Sequence, residues 1–158
     1  MVGLPLFFSD RPVARLLKSS VFSEAGYVYW MYASPISLCP DGDGLRLLAS
    51  GQDLSLTTEE SLFLVELFNR HFSPDYRLWF LDSTRWILSF NQYSKIKTQP
   101  LVKVNGRRLD HHLPVGDDSL KWHCLINECQ MLFSQPEVNQ QRQEANLLPV
   151  NSLWVWWR

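Results

Sequence analysis

Residues 125–156 read LINECQMLFSQPEVNQQRQEANLLPVNSLWVW, and the division of this stretch decides the fold. Carboxamides and large apolar groups recur at helical spacing as far as Ser134. Pro136, tolerated in a first helical turn, opens an almost wholly polar helix that runs to about Ala145. Ser152–Trp157 closes the chain as an apolar strand. Amides this close to a core must be hydrogen-bonded or face a cleft, because an unpaired buried amide is costly. The block is therefore the leading candidate for a binding surface.

Working outward, Asp117 or Asp118 caps the helix that ends near Ser134. On it, Leu120, Cys124 and Met131 share one side, widened by Trp122, Leu125, Cys129 and Leu132, while His123, Asn127, Gln130 and Ser134 form a polar stripe. The firmest helix is Thr57–Phe72, where Thr57 and Glu60 fit a capping box and Pro74 sets the end. Strands are expected at Tyr27–Tyr32, ended or bent by Pro35, and at Leu45–Ala49, with the turn Asp41-Gly42-Asp43-Gly44 between them. Arg77–Leu81 and Arg85–Phe90 read as a hairpin. Residues 91–116 are mainly connecting, with short strands at Ile96–Thr98 and Leu101–Val104. The order of elements predicts an α+β fold, a mainly antiparallel sheet with two or three packed helices. One domain spans residues 1–158, with residues 1–26 a loosely attached N-terminal segment that includes a helical piece at Pro12–Lys18.

The 158 residues suffice for one domain with a sizeable core, and 46% apolar content argues against disorder. Seven Trp, nine Phe and five Tyr make that core aromatic. A net charge of −1 argues against nucleic-acid binding; Arg107-Arg108 is a local pair, not a basic stripe. No apolar run is long enough for a membrane span, and the N-terminus lacks the positive start of a signal peptide. Cys39, Cys124 and Cys129 include no Cys-x-x-Cys and read as free thiols in a cytoplasmic protein.

Asp110-His111-His112 is the most chemical-looking tripeptide, yet neighbouring side chains on an extended chain diverge, so a loop is favoured over a metal site. The Asp-Gly-Asp-Gly run lacks the downstream acid of a cation loop and reads as a hairpin turn. No phosphate loop and no Gly-x-Ser-x-Gly is present, so no cofactor, metal or catalytic residue is assigned.

Several blocks carry a family resemblance: WMYASPISL at Trp30–Leu38, then LSLTTEES, NRHF, TRWILSF, KTQPL, DHHLPVG, LINECQMLFSQPEVNQQRQ and PVNSLWVW. Together they cover most of the chain, which resembles the RpfE-type bacterial regulatory proteins, often described as cofactor-independent phosphoglycerate mutase-like. The family's Ala-Asp-Pro-Val-His-Leu pattern corresponds to Ala33, Ser34, Pro35, Ile36, Ser37 and Leu38, so its acidic and imidazole groups are missing. The family continues beyond its Trp-x-Trp, whereas this chain stops at Trp157-Arg158 and reads as a shortened member. The mutase description implies a phosphatase-like metalloenzyme with many Asp and His ligands, for which four histidines are few.

The leading reading is a non-catalytic regulatory or protein-interaction domain. Trp154, Trp156 and Trp157 are its expected docking or self-association surface. The alternative is an enzyme or ligand-binding domain for a phosphorylated metabolite. Its anion site would gather Arg85, His111, His112, Asn127, Gln130, Asn139, Arg142 and Asn151.

Overall fold

Tyr29–Asp41 forms one strand, β1, that pairs with three others in a computed structural model describing residues 11–157. The remaining strands are β2 (Gly44–Ser50), β3 (Tyr76–Asp82), β4 (Arg85–Phe90) and β5 (Ser152–Trp156). Their hydrogen-bonded order is β2-β1-β4-β3, with β5 off this path on β1, and every pairing is antiparallel. Ala33 is paired with both Trp86 of β4 and Val155 of β5, and Ile36 with both Ser50 of β2 and Ser152 of β5. A strand residue has only two edges, so β5 holds one edge of β1 while β4 and then β2 share the other.

That arrangement corrects the expected role of Pro35. The strand runs through it, because β4 pairs only as far as Ala33 and β2 begins at Ile36. The missing N–H falls where the shared edge changes partner, so it weakens no ladder.

The sheet is antiparallel as expected, but the helix count is not two or three. Six α-helices are present among the described residues: α1 (Arg11–Leu17), α2 (Ser20–Glu24), α3 (Thr58–Phe72), α4 (Leu101–Val104), α5 (Ser119–Phe133) and α6 (Glu137–Glu144). Helix and strand content are comparable, so the fold is α+β without a dominant sheet. The extra helices are short. Leu101–Val104, expected as a strand, is one turn of helix begun after Pro100, and Ile96–Thr98 contributes only an isolated bridge, Lys97 to Val115. β-branched residues favoured a strand locally, and packing overrode them: Val104 is fully buried beside Ile36, Leu38, Leu47 and Trp154. Of the segment expected to be loosely attached, residues 1–10 lie outside the described residues. In the rest, Val13 of α1 and Phe22 of α2 pack on Trp79 and Ile87.

Alternation along the strands gives the sheet two apolar faces. Met31, Ala33, Leu78, Trp86, Leu88, Phe90, Leu153 and Val155 meet α3 and α5 on one. Trp79 and Ile87 lie under α1 and α2 on the other, where Ile36, Leu38 and Trp154 lie under α4. Thr57 caps α3 through its side chain, which accepts from the Glu60 N–H at 3.1 Å. On α5 the buried positions are Trp122, Leu125, Ile126, Cys129 and Phe133. This corrects the expected apolar side: Leu120 and Met131 are 73% and 74% exposed and Cys124 faces solvent. Burial pushes the Cys129 thiol well up, helped by the charge of Glu128.

Burial, with the charge of Asp75, also pushes the Tyr76 phenol up from 10.0 to about 12. Below pH 10 the phenol is protonated in both folded and unfolded chains and contributes nothing. Above it, the unfolded chain loses the proton first and is favoured. Urea unfolding should therefore show stability falling between about pH 10 and 12. Tyr76→Phe should make that slope shallower; an unchanged slope would refute the assignment.

Candidate functional site

The Asp41-Gly42-Asp43-Gly44 run forms the β1–β2 turn, with Gly42 at φ +64°, a conformation glycine adopts without strain. Arg46 on β2 ties this turn inward: it bonds Asp41 at 2.7 Å and donates to the Gly106 carbonyl at 2.9 Å. The backbone of Leu47 is bonded to Gly106 and Arg107. These contacts lay the connecting segment after α4 along the hairpin. Arg108 follows, donating to Asp43 at 3.1 Å and to Asp110 at 2.6 Å. A Cβ on Gly44 would stand 2.6 Å from both Arg108 Nη2 and Asp110 Oδ1, so any side chain there would push these two flexible ends aside.

Between the turn, the 3-10 turn Leu109–His111 and α5 lies a cleft of about 360 Å³. Gly42, Asp43, Leu45, Asp110, Leu113 and Asn127 are among its lining. The Arg108 guanidinium holds the Asp43 carboxyl below its ordinary range, and both carboxylates push the guanidinium up. Arg108 Nη1 makes no hydrogen bond among the described residues, and it would lie 3.8 Å from a Cβ on Gly42. The cleft is thus lined by two carboxylates and four apolar side chains, and Arg108, which is bonded to both carboxylates, stands beside it with Nη1 donors to spare.

Of the eight groups expected to bind an anion, Asn127 lines this cleft and His111 ends the turn that forms one wall. Gln130 is half-buried one helical turn further along α5. The others have structural partners. His112 shares a 2.6 Å hydrogen bond with Gln99. Arg85 pairs with Asp82 at 2.7 Å; burial pushes the Asp82 carboxyl up, but the Arg85 and Thr84 hydrogen bonds outweigh it. Asn139 donates to the Phe133 and Val150 carbonyls and accepts from the Val150 N–H. Asn151 donates to the Leu38 carbonyl at 2.9 Å and accepts from its N–H at 2.8 Å. Arg142, 2% exposed, donates to Leu148, to Leu54 and to Glu60. Within the amide-rich block, Asn139, Arg142 and Asn151 brace backbone, while Asn127 faces the cleft. Arg108, read from sequence as half of a basic pair, is the cation bonded to two residues of the cleft's lining, Asp43 and Asp110.

The tryptophans divide as well. Trp154 is fully buried, with Nε1 donating to the Gln99 carbonyl, so it offers no docking surface. Trp156 and Trp157 are partly exposed, against Tyr32 and Phe90 respectively. Among the described residues no three His, Cys, Asp or Glu side chains gather closely enough to hold a metal ion, so the ligand-rich centre implied by the mutase resemblance does not fit them. No described helix is long and apolar enough to cross a membrane.

Over 111 residues, 70% of the chain, the sequence is 25% identical to a 2,3-bisphosphoglycerate-independent phosphoglycerate mutase from Methanosarcina barkeri (strain Fusaro / DSM 804). The chain spans 25% of that mutase's length, so the likeness is weak and partial. No family model and no solved structure matches the chain.

Replacing Arg142 by Met leaves Glu60 without its partner and two carbonyls without donors. Equilibrium urea unfolding should show a loss of about 3–5 kcal/mol, the usual consequence of halving a buried ion pair. A change below about 1 kcal/mol would show that Arg142 is not the brace assigned here.

Proposed function

We propose that this chain binds a phosphorylated small acid of the phosphoglycerate class in the cleft beside Arg108, holding it without converting it. The observation that carries this reading is the 111-residue likeness to a phosphoglycerate mutase. The cleft supports it chemically. Asp43 is the weaker tether of Arg108, at 3.1 Å against 2.6 Å for Asp110, and is fully solvated. A phosphate can take its place on the guanidinium, recruit the Nη1 donors and form charge-assisted hydrogen bonds. Asn127 is placed to recognise a hydroxyl or carboxylate, and Leu45 and Leu113 to cover the carbon chain.

A second reading is a regulatory protein of the RpfE type that acts by contacting protein. It is favoured by the exposed apolar residues of α3 and α5, among them Leu62, Phe63, Leu120 and Met131. Under either reading the three unpaired thiols suit a reducing cytoplasm.

Calorimetric titration with 3-phosphoglycerate should show saturable binding that Arg108→Ala abolishes and Asp43→Asn strengthens. Unphosphorylated glycerate should not bind. Absence of binding to the wild-type chain, or an unchanged affinity in Arg108→Ala, would overturn the site. Conversion to 2-phosphoglycerate, with or without added manganese, would overturn the claim that the domain only holds its ligand.

A further inference from the structure

The outer face of α3 carries a stripe at helical spacing, Leu62, Glu66, Asn69 and Ser73, that lines an open groove of about 560 Å³ with Val65 and Arg70. Leu62 and the neighbouring Phe63 are 45% and 38% exposed. Glu66 and Arg70 are one turn apart, within reach of a mutual ion pair. Yet neither has an ionic or hydrogen-bonding side-chain partner among the described residues. The adjoining open edge of β3 is closed to strand addition at its centre. Asn69 donates to the Leu78 carbonyl at 2.9 Å and accepts from its N–H at 2.7 Å, occupying the groups a further strand would need. That leaves the exposed face of α3 itself, not the edge of β3, as the open surface here.

We propose that the occupant is a second copy of this chain, docked α3 against α3 about a two-fold axis beside residue 68. The argument is charge complementarity. In an antiparallel pair centred there, Glu66 of each copy faces Arg70 of the other, so one stripe supplies both halves of two ion pairs. The same register carries Leu62 of each copy over the Ser73 end of the other groove, covering the exposed apolar residues. A contact built on one 15-residue helix is small, so the association is reversible and depends on concentration. The surface is separate from the cleft at Arg108, and the inference does not rest on ligand binding there.

Sedimentation velocity of the full chain should show the weight-average coefficient rising with concentration toward that of a dimer. Glu66→Arg and Arg70→Glu should each abolish the rise, since each sets like charges opposite one another twice. The double variant Glu66→Arg/Arg70→Glu should restore it, at reversed polarity. Both positions are exposed, and circular dichroism of the three variants should show the fold kept. A wild-type chain that stays monomeric throughout overturns the proposal. So does a dimer unaffected by either single change, or a double variant that fails to recover.

Discussion

Backbone groups stranded where the sheet runs out must be hydrogen-bonded, and in this protein carboxamide side chains do the bonding. Asn69 closes the edge of β3 at Leu78, Asn151 extends the edge of β1 past the end of β5 at Leu38, and Asn139 fixes Val150 just before β5 begins. Each presents one donor and one acceptor to a single residue's carbonyl and N–H, as a neighbouring strand would. Lost partners here would leave buried polar groups unmet, so these contacts set how far each strand extends and where β5 enters.

This constraint explains α6, a mostly exposed helix with almost no apolar face that is anchored to the fold by two polar side chains. Its two buried residues are Asn139 and Arg142, and both act on backbone carbonyls. Arg142 also reaches Glu60, the residue whose N–H is capped by Thr57. The start of α3, the turn after β2 and the approach to β5 are thereby joined at one guanidinium. A planar fork with five donors suits that task in a way a lysine does not.

Much of this was legible in the residues. The Thr57–Glu60 capping box, the β3–β4 hairpin and the closing strand follow from local chemistry and periodicity. So does the principle that amides near a core need partners. What local reading misjudged was the identity of those partners. A row of Asn and Gln looks the same whether it faces a ligand or a displaced backbone, because the difference lies in residues such as Leu38, 113 positions away. The apolar side of α5 was misjudged for a related reason: Leu120 and Met131 fit a helical stripe as well as Trp122 and Phe133 do, and only the sheet beneath decides between them. Whether Pro35 bends, ends or sits within a strand is not decided locally, because its edge is set by two strands, β4 and β2, that meet there from distant parts of the chain.

Arg108 follows the opposite logic from the bracing residues. Arg142 is immersed and fully engaged, whereas Arg108 sits at the surface with two carboxylates, one of them completely exposed, and unused donors. An exposed pair of this kind adds little to stability, since solvent screens it and long side chains lose freedom to form it. The pair packs close to the turn: a Cβ on Gly44 would meet the ends of the Arg108 and Asp110 side chains, which are flexible enough to move aside. The carboxylates hold the guanidinium beside the cleft, and under the proposed reading an incoming anion would displace solvated Asp43 instead of drawing a buried partner out of the fold.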